Sequence, residues 1–508
     1  MTITVYEGKE KHEIPFEEGN TVLDVLQQGG IKSFTAPCGG KGTCKKCTVF
    51  VQCDDFSGTR LACMVAAKDQ MNIEIAPEVR SSIAEEWVGD VYQPTAGQSG
   101  YAVACDIGTT SVVCRLFNLE TGESLSGISG SSSQRIFGGD VLSRLKAAEE
   151  GHAEQIHEMI VQQVSFFIEE LCRKEEIQKE EIKRITVAGN TIMMHFFAGL
   201  DPSEISTAPF QPLSLFGKTM NGSEIGLDFK GDVFICPAVS GFIGSDVTCG
   251  ILESGMHKSE EKMLIIDLGT NTEITMGNRE KMVSCAVDGG AVFKASLLEH
   301  GMIAANGAIS GIKYEDGELV LEVLGNGAPI GICGSGYIDA LGILFREEVL
   351  DELGHIVDPE ETDSPLAKYI GTEEGRNVFY LTEDKKVFLS QEDISKFMLA
   401  KAAIYAAIQI LSKETDTRLS DLAKLVLGGA FGAFAHRSNA AILGIIPKEC
   451  KGKTIKSGNI ALAGTSSAAL SEEAREELLG IPERVQVIDL PTHPMFNDAF
   501  MDGMFIEE

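Results

Sequence analysis

The sequence predicts a small α+β module followed by a much larger α/β unit built as two lobes. Three observations carry this. Five cysteines crowd into residues 38–63, a strand–Asp–Gly–Thr–strand unit occurs twice, and strand patterns alternate with helical ones beyond residue 100. The 508 residues exceed what one ordinary core holds, so several domains are expected. Hydrophobic residues at 44% and charged residues at 23% suit a folded chain. With 43 Lys and Arg against 75 Asp and Glu, the formal charge of −32 repels phosphate backbones, and no nucleic-acid partner is expected. An uninterrupted apolar run of membrane-spanning length and a signal-peptide pattern are both missing, so the expected location is cytoplasmic, without a membrane partner.

The first module is read over residues 1–76. Residues 2–6 and 12–16 read as a hairpin, 21–30 as a short helix, and 47–53 and 71–75 as strands. Between them, Cys38, Cys44, Cys47 and Cys63 form C-x5-C-x2-C-x15-C. Thiolates converging from several directions are what an iron–sulfur cluster requires, and Gly39, Gly40 and Gly42 let the backbone wrap closely. A structural zinc site is the alternative for four cysteines, although only Cys44 and Cys47 form the short pair usual in zinc knuckles. Cys53 falls outside the spacing and reads as a strand thiol. Cys105, Cys114, Cys236 and Cys285 read as buried thiols. The long first gap resembles vertebrate-type and bacterial [2Fe–2S] ferredoxins, which implies a β-grasp ferredoxin domain with these four cysteines as cluster ligands.

Residues 77–100 read as a linker, either a tether that lets the redox module move or a packed connector. The duplication begins at Tyr101. YAVACDIGTTSVV, with Asp106, is echoed by MLIIDLGTNTEI, with Asp267. A second echo pairs ITVAGNT with LVLGGAFG, aligning Gly189 with Gly428. The expected lobes are 101–255 and 256–508, the second carrying an insertion near 310–390 that includes a hairpin at KYEDGELVLEV and an exposed acidic excursion. Ile156, Ile160, Val164, Phe167 and Leu171 form one apolar helical face, and Ser390 with Asp393 caps a helix expected over 391–413.

A Gly-Thr hairpin turn offers backbone N–H groups and hydroxyls to a phosphate, and an Asp at the strand end suits Mg²⁺. Two such turns, one per lobe, would clamp a polyphosphate, and the lack of G-x4-G-K-[ST] excludes a P-loop. The arrangement resembles the acetate kinase/sugar kinase/Hsp70/actin superfamily, implying a two-lobed actin/Hsp70-like ATPase fold. On that resemblance Gly108, Thr109 and Thr110 form the phosphate-1 turn and Gly269, Thr270 and Asn271 the phosphate-2 turn. Gly428, Gly429 and Gly432 would form the adenosine motif, with Asp106 and Asp267 organising Mg²⁺. Gly334–Gly336 would lie near the nucleotide, or else form a tight turn before a helix starting near Tyr337.

The combination resembles the ATP-dependent reductive activators of corrinoid proteins, through CGGKGTCKKC, LACMV, VACDIGTTSVV, VAGNTIMMHFFAGLDP, APFQP, PAVSGFIGSDVTCGIL, LIIDLGTNTEI, GICGSGYIDAL and KLVLGGAFGAF. That family implies a [2Fe–2S] cluster, ATP with Mg²⁺, and transfer of one electron to Co(II) of a partner-borne corrinoid to regenerate Co(I) for methyl transfer. It also implies an electron donor, with a homodimer left open. The D-x-H-x-x-G signature of corrinoid carriers is absent, so the corrinoid should belong to the partner. His195 reads as a satisfied core histidine. Competing readings are a ferredoxin-fused small-molecule kinase and a nucleotide-binding redox chaperone without turnover. A 2-hydroxyacyl-CoA dehydratase activator is disfavoured by the N-terminal cysteine module.

Overall fold

The computed structural model describes residues 1–7, 10–31, 34, 36, 39–40, 42, 47–53, 56–75, 92–269, 271–287, 298–302, 304–429 and 436–506. Among the expected site residues, Cys38, Cys44, Thr270 and Gly432 lie outside these described residues.

The N-terminal strands are β1 (Thr2–Glu7), β2 (Glu10–Pro15), β3 (Thr48–Cys53), β4 (Phe56–Leu61) and β5 (Asn72–Ile75), in a mixed sheet of order β2-β1-β5-β3-β4. Helix Val22–Gln28 buries Val22, Leu23, Val25 and Leu26. Its start follows from Thr21, whose Oγ1 accepts from Asp24 N–H at 3.2 Å while Asp24 Oδ2 accepts from Thr21 N–H at 2.6 Å. The predicted hairpin, helix and two strands are present. Strand β4 was not anticipated, because FSGTRL carries too little apolar alternation to stand out, yet it pairs along the whole of β3.

The first lobe comprises β6 (Tyr101–Ile107), β7 (Ser111–Asn118), β8 (Ser124–Ser131), β9 (Ile182–Ala188), β10 (Lys218–Asn221) and β11 (Asp232–Ile235), ordered β10-β11-β9-β6-β7-β8. In the second lobe, β12 (Met263–Leu268), β13 (Thr272–Gly277) and β14 (Met282–Val287) form the meander. The inserted strands follow: β15 (Ala308–Glu315), β16 (Glu318–Val323), β17 (Gly331–Ile332), β18 (Ile370–Glu373), β19 (Arg376–Tyr380) and β20 (Phe388–Ser390). Then β21 (Lys424–Gly428), β22 (Thr454–Gly458) and β23 (Val485–Val487) complete the sheet β22-β21-β12-β13-β14-β23. Each lobe therefore has an antiparallel three-strand meander whose first strand is flanked by two successive parallel strands. The duplication seen in the sequence is a duplication of topology.

The register corrects one alignment. Asp106 lies opposite Ala188 and Asp267 opposite Gly428, so Gly189 corresponds to Gly429, one residue later than the motif echo suggested. The close approaches agree: a Cβ on Gly189 would meet the Ile107 carbonyl at 2.4 Å, and one on Gly429 the Leu268 carbonyl at 2.4 Å.

The hairpin expected at KYEDGELVLEV is β15–β16, turning through Asp316 and Gly317, both with positive φ (51° and 83°). Helix Gln391–Glu414 begins where Ser390 Oγ accepts from Asp393 N–H at 3.2 Å. This helix is long and apolar enough to cross a membrane by composition, but two thirds of its apolar window is buried among second-lobe residues such as Leu344, Phe379 and Leu425. Helix Gly334–Arg346 starts three residues before Tyr337, its expected start.

The described end of the linker is packed. Tyr92 is buried and its hydroxyl donates to Glu477, which also accepts from His257 Nε2 at 3.0 Å and pairs with Lys258 Nζ at 2.7 Å. Burial alone would raise the Glu477 carboxyl, but these partners hold it down at about 2. Thr95 N–H donates to Leu470 O at 3.1 Å, and Glu472 N–H to Thr95 Oγ1 at 2.8 Å. The rest of the linker, including Trp87, lies outside the described residues.

Candidate functional site

In the N-terminal module, Cys47 ends the loop before β3 and Cys63 sits in the turn Ala62–Met64 after β4. Both are buried, with Sγ atoms 3.3 Å apart. Ala62 N–H donates to Cys47 O at 2.7 Å, which draws the two segments together. Two convergent thiols with no disulfide between them suit two ligands on one iron, and the glycine conformations nearby (φ 58° at Gly39, 84° at Gly40, 73° at Gly42) let the loop curl without Cβ clashes. Cys53 is half-buried on β3, and Cys105, Cys114, Cys236 and Cys285 are buried in the lobes, as expected for structural thiols. Burial raises the Cys114 and Cys285 thiols, keeping them inert.

The duplicated turns lie at strand ends facing one cleft. In the first, Gly108 N–H donates to Ser111 O at 2.9 Å, so a Cβ there would sit 2.9 Å from that same oxygen. In the second, Gly269 N–H donates to Asp267 O at 3.0 Å, and its Cβ would meet Asn271 O at 2.6 Å. Gly429, with φ 82°, approaches Asp267 so closely that a Cβ would lie 2.8 Å from Oδ1. Tight turns with no side chain at the glycine are of the kind a polyphosphate needs. Thr109 is buried and accepts from Asn190 Nδ2 at 3.0 Å through Oγ1.

Three further groups complete the cleft. Helix Ser245–Ser254 follows β11 and carries Asp246 toward Asp267 and Asp106. Helix Ile460–Leu470 follows β22, and its cap Asn459 reaches across to the other lobe, donating from Nδ2 to Asp106 Oδ2 at 2.7 Å. The two helices pack against each other closely: a Cβ on Gly464 would meet Cys249 O at 2.1 Å. Thus each lobe lends one helix start to the other lobe's aspartate, an acid in one case and an amide in the other. Sequence reading missed Asp246, Asn459 and Asn190. The available signal was an Asn or Asp at a helix start after a glycine, at Gly189-Asn190, Gly244-Ser245-Asp246 and Gly458-Asn459.

Asp246 is pushed up to about 7, first by burial and then by the negative charges of Asp267 and Asp106. A carboxylate set with excess negative charge fits Mg²⁺ bound through one or two carboxylates plus phosphate oxygens. No three acidic, His or Cys side chains among the described residues converge closely enough to hold a metal ion by themselves. Since the folded pKa lies above the unfolded value, this group favours folding at low pH, and the contribution is lost as pH rises through about 7. Asp246→Asn is therefore expected to raise the stability of the nucleotide-free protein at pH 8 by roughly 2 kcal/mol. Near pH 4 the difference should vanish. Thermal melts at the two pH values check this, and an unchanged or lower midpoint at pH 8 contradicts it.

Between the N-terminal module and the two lobes lies a cavity of about 1140 Å³, whose lining includes Gly40, Cys63, Phe210, Phe242 and Asn271. Gly40 and Cys63 of the N-terminal module and Asn271 of the second lobe therefore border one space. Phe210 and Phe242 are exposed there, 5.6 Å apart edge to face. His195 is buried with Nδ1 2.7 Å from Thr191 O, and burial lowers its pKa, as suits a core histidine.

Comparison with known proteins gives three successive family matches: a 2Fe-2S iron-sulfur cluster binding domain over residues 5–68, the RACo middle region over 101–259, and the C-terminal ASKHA domain of RACo over 261–508. The chain is 34% identical over 414 residues to the corrinoid activation enzyme RamQ of Eubacterium limosum, covering 79% of this chain and 69% of that protein. It is 23% identical over 436 residues to the [Co(II) methylated amine-specific corrinoid protein] reductase of Methanosarcina barkeri, covering 79% and 76%. Among solved structures, a reductive activator for corrinoid, iron-sulfur protein superposes with a TM-score of 0.72 at 26% identity, over 99% of this chain and 98% of that one.

Proposed function

We propose, from the premise that this chain belongs to the RACo family of corrinoid activators, that it is an ATP-dependent enzyme that reductively activates a corrinoid protein. The observation that carries this is the coexistence, in one chain, of a ferredoxin-type thiol pair and a two-lobed cleft with opposed Asp-Gly turns.

Cys38, Cys44, Cys47 and Cys63 hold the [2Fe–2S] cluster, the described pair fixing one side of it. Held by these thiolates, the cluster would supply a one-electron carrier between an external donor and Co(II) of the partner. The chain's own residues control when that is feasible. Gly108, Thr109, Thr110, Gly269, Thr270 and Asn271 cradle the phosphates of ATP, and Gly428, Gly429 and Gly432 admit the adenosine. Asp106, Asp246 and Asp267 organise Mg²⁺. An electron at a plant-type cluster potential of about −400 mV is weakly reducing for a Co(II)/Co(I) couple, so ATP must favour one lobe arrangement over another. Asn459, bonded to Asp106 across the lobes, holds one such arrangement.

The test mixes the reduced protein with candidate Co(II) corrinoid proteins, with and without MgATP, and follows the cobalt spectrum. Conversion to Co(I) that depends on MgATP is expected. Nucleotide consumption driven by a small molecule, with no conversion for any corrinoid protein, contradicts the reading and favours a kinase.

A further inference from the structure

Among the described residues Arg144 is the largest fully buried side chain, with 0% exposure, in helix Val141–Ala147. Its Nε donates to Gly138 O at 3.2 Å, Nη1 to Gln134 Oε1 at 3.0 Å and to Met193 Sδ at 3.1 Å, and Nη2 donates to the Thr109 carbonyl. None of these acceptors is a carboxylate. Burying a guanidinium is costly, and the burial is strong enough to pull its pKa down to about 9 even with Asp140 nearby. An aliphatic side chain would fill the same space without that cost. What only arginine supplies is a rigid fork joining several segments at once.

The segments it joins are informative. Thr109 belongs to the phosphate-1 turn, and the adjacent Thr110 carbonyl accepts from Ser132 N–H at 2.8 Å. Gln134 and Gly138 belong to the stretch that follows Ser132, and this stretch grips the N-terminal module on its other side. Gln27 Nε2 donates to Ile136 O at 2.9 Å, and Ala36 N–H donates to Arg135 O at 3.3 Å. Gly39, beside the expected ligand Cys38, packs on the same helix: a Cβ there would lie 3.6 Å from Ser143 Cβ and 3.9 Å from Phe137 O. Residues 132–144 thus touch the nucleotide turn at one end and the cluster loop at the other, and Arg144 is the pin between them.

We propose that Arg144 is a positioning residue that ties the phosphate-1 turn to the cluster loop, so that nucleotide binding in the cleft changes the surroundings of the [2Fe–2S] cluster. This rests on the functional reading above and deepens it by naming how the two centres communicate. Phosphates seated on the Gly108–Thr110 turn reposition the Thr109 carbonyl. The guanidinium follows, and with it the backbone of 134–138 that carries Ala36 and Gln27. The surroundings of an iron–sulfur cluster, through hydrogen bonds and exposure, set its potential.

The experiment uses the full-length reduced protein without any corrinoid partner. The electron paramagnetic resonance spectrum and midpoint potential of the cluster are measured with no nucleotide, with MgADP and with a non-hydrolysable ATP analogue. The wild type is expected to show a spectrum and potential that differ between the nucleotide-free and analogue-bound forms. Arg144→Met should abolish that difference while still binding the analogue within about tenfold of wild type by calorimetry. Arg144→Lys should restore part of it. Gln27→Ala, which cuts the bond from the ferredoxin helix to Ile136 O, should weaken the response too and decides the matter if Arg144→Met does not fold. A wild type without nucleotide response, or a Met or Ala variant that responds fully, overturns the proposal. A protein that reduces Co(II) with ATP but lacks the response keeps its function and loses this coupling. The reverse result keeps the coupling and removes the corrinoid reading.

Discussion

Cys63→Ala is expected to abolish the visible absorption and the paramagnetic signal of the cluster and to bring Co(II) reduction to the level seen without protein. The substituted atom is 3.3 Å from Cys47 Sγ, so its loss removes one of two adjacent thiolates rather than a peripheral contact. Replacement by a small side chain at a site only 9% exposed leaves the surrounding sheet packed around Val49, Val51 and Ile73. The expected phosphate turns are held by the strand ladders of β6–β7 and β12–β13, which Cys63 does not join, so MgATP affinity should remain within about twofold of wild type. Iron analysis together with calorimetry checks both halves. Full iron content with undiminished reduction would contradict the ligand assignment.

Gly429→Val is expected to produce the converse. Its backbone has φ 82°, and the new Cβ would meet the Leu268 carbonyl at 2.4 Å and Asp267 Oδ1 at 2.8 Å. A branched residue in left-handed conformation costs roughly 1–2 kcal/mol on its own. Relieving the contact pushes the end of β21 away from the phosphate-2 turn, so a total loss near 3 kcal/mol, about a hundredfold in MgATP affinity, is expected. The cluster signal should persist, while ATP-dependent Co(II) reduction disappears. Nucleotide affinity within about twofold of wild type would contradict the placement of the adenosine motif. Gly189→Val, its counterpart in the first lobe, faces the Ile107 carbonyl at the same 2.4 Å and should behave similarly.

The contrast between these pairs also explains what the sequence disclosed. Apolar strands ending in Asp106 and Asp267, each followed by a Gly turn, are local signals, and both lobes were legible from them. The helix capped by Ser390 was legible for the same reason. The alignment of Gly189 with Gly428 slipped by one because both candidates are glycines, and only the strand register, Asp267 against Gly428, separates them. Strand β4 escaped because its stability comes from pairing with β3 rather than from its own pattern. Asp246 and Asn459 were not assigned because each acts on the opposite lobe, far away in sequence. Nothing in the local sequence marks Arg144, and only its full burial beneath Thr109 sets it apart. The linker offered two readings, and Tyr92 bonded to Glu477 selects a packed one for its described end.

The central claim is that an electron carrier and a nucleotide cleft reside together in this chain, and its most direct test is a count on a single anaerobic preparation. Iron, acid-labile sulfide and bound MgATP analogue are measured per chain on the same sample. The account predicts two irons, two sulfides and one nucleotide. Zinc in place of iron, or a protein that carries the cluster but takes up no nucleotide, would contradict it.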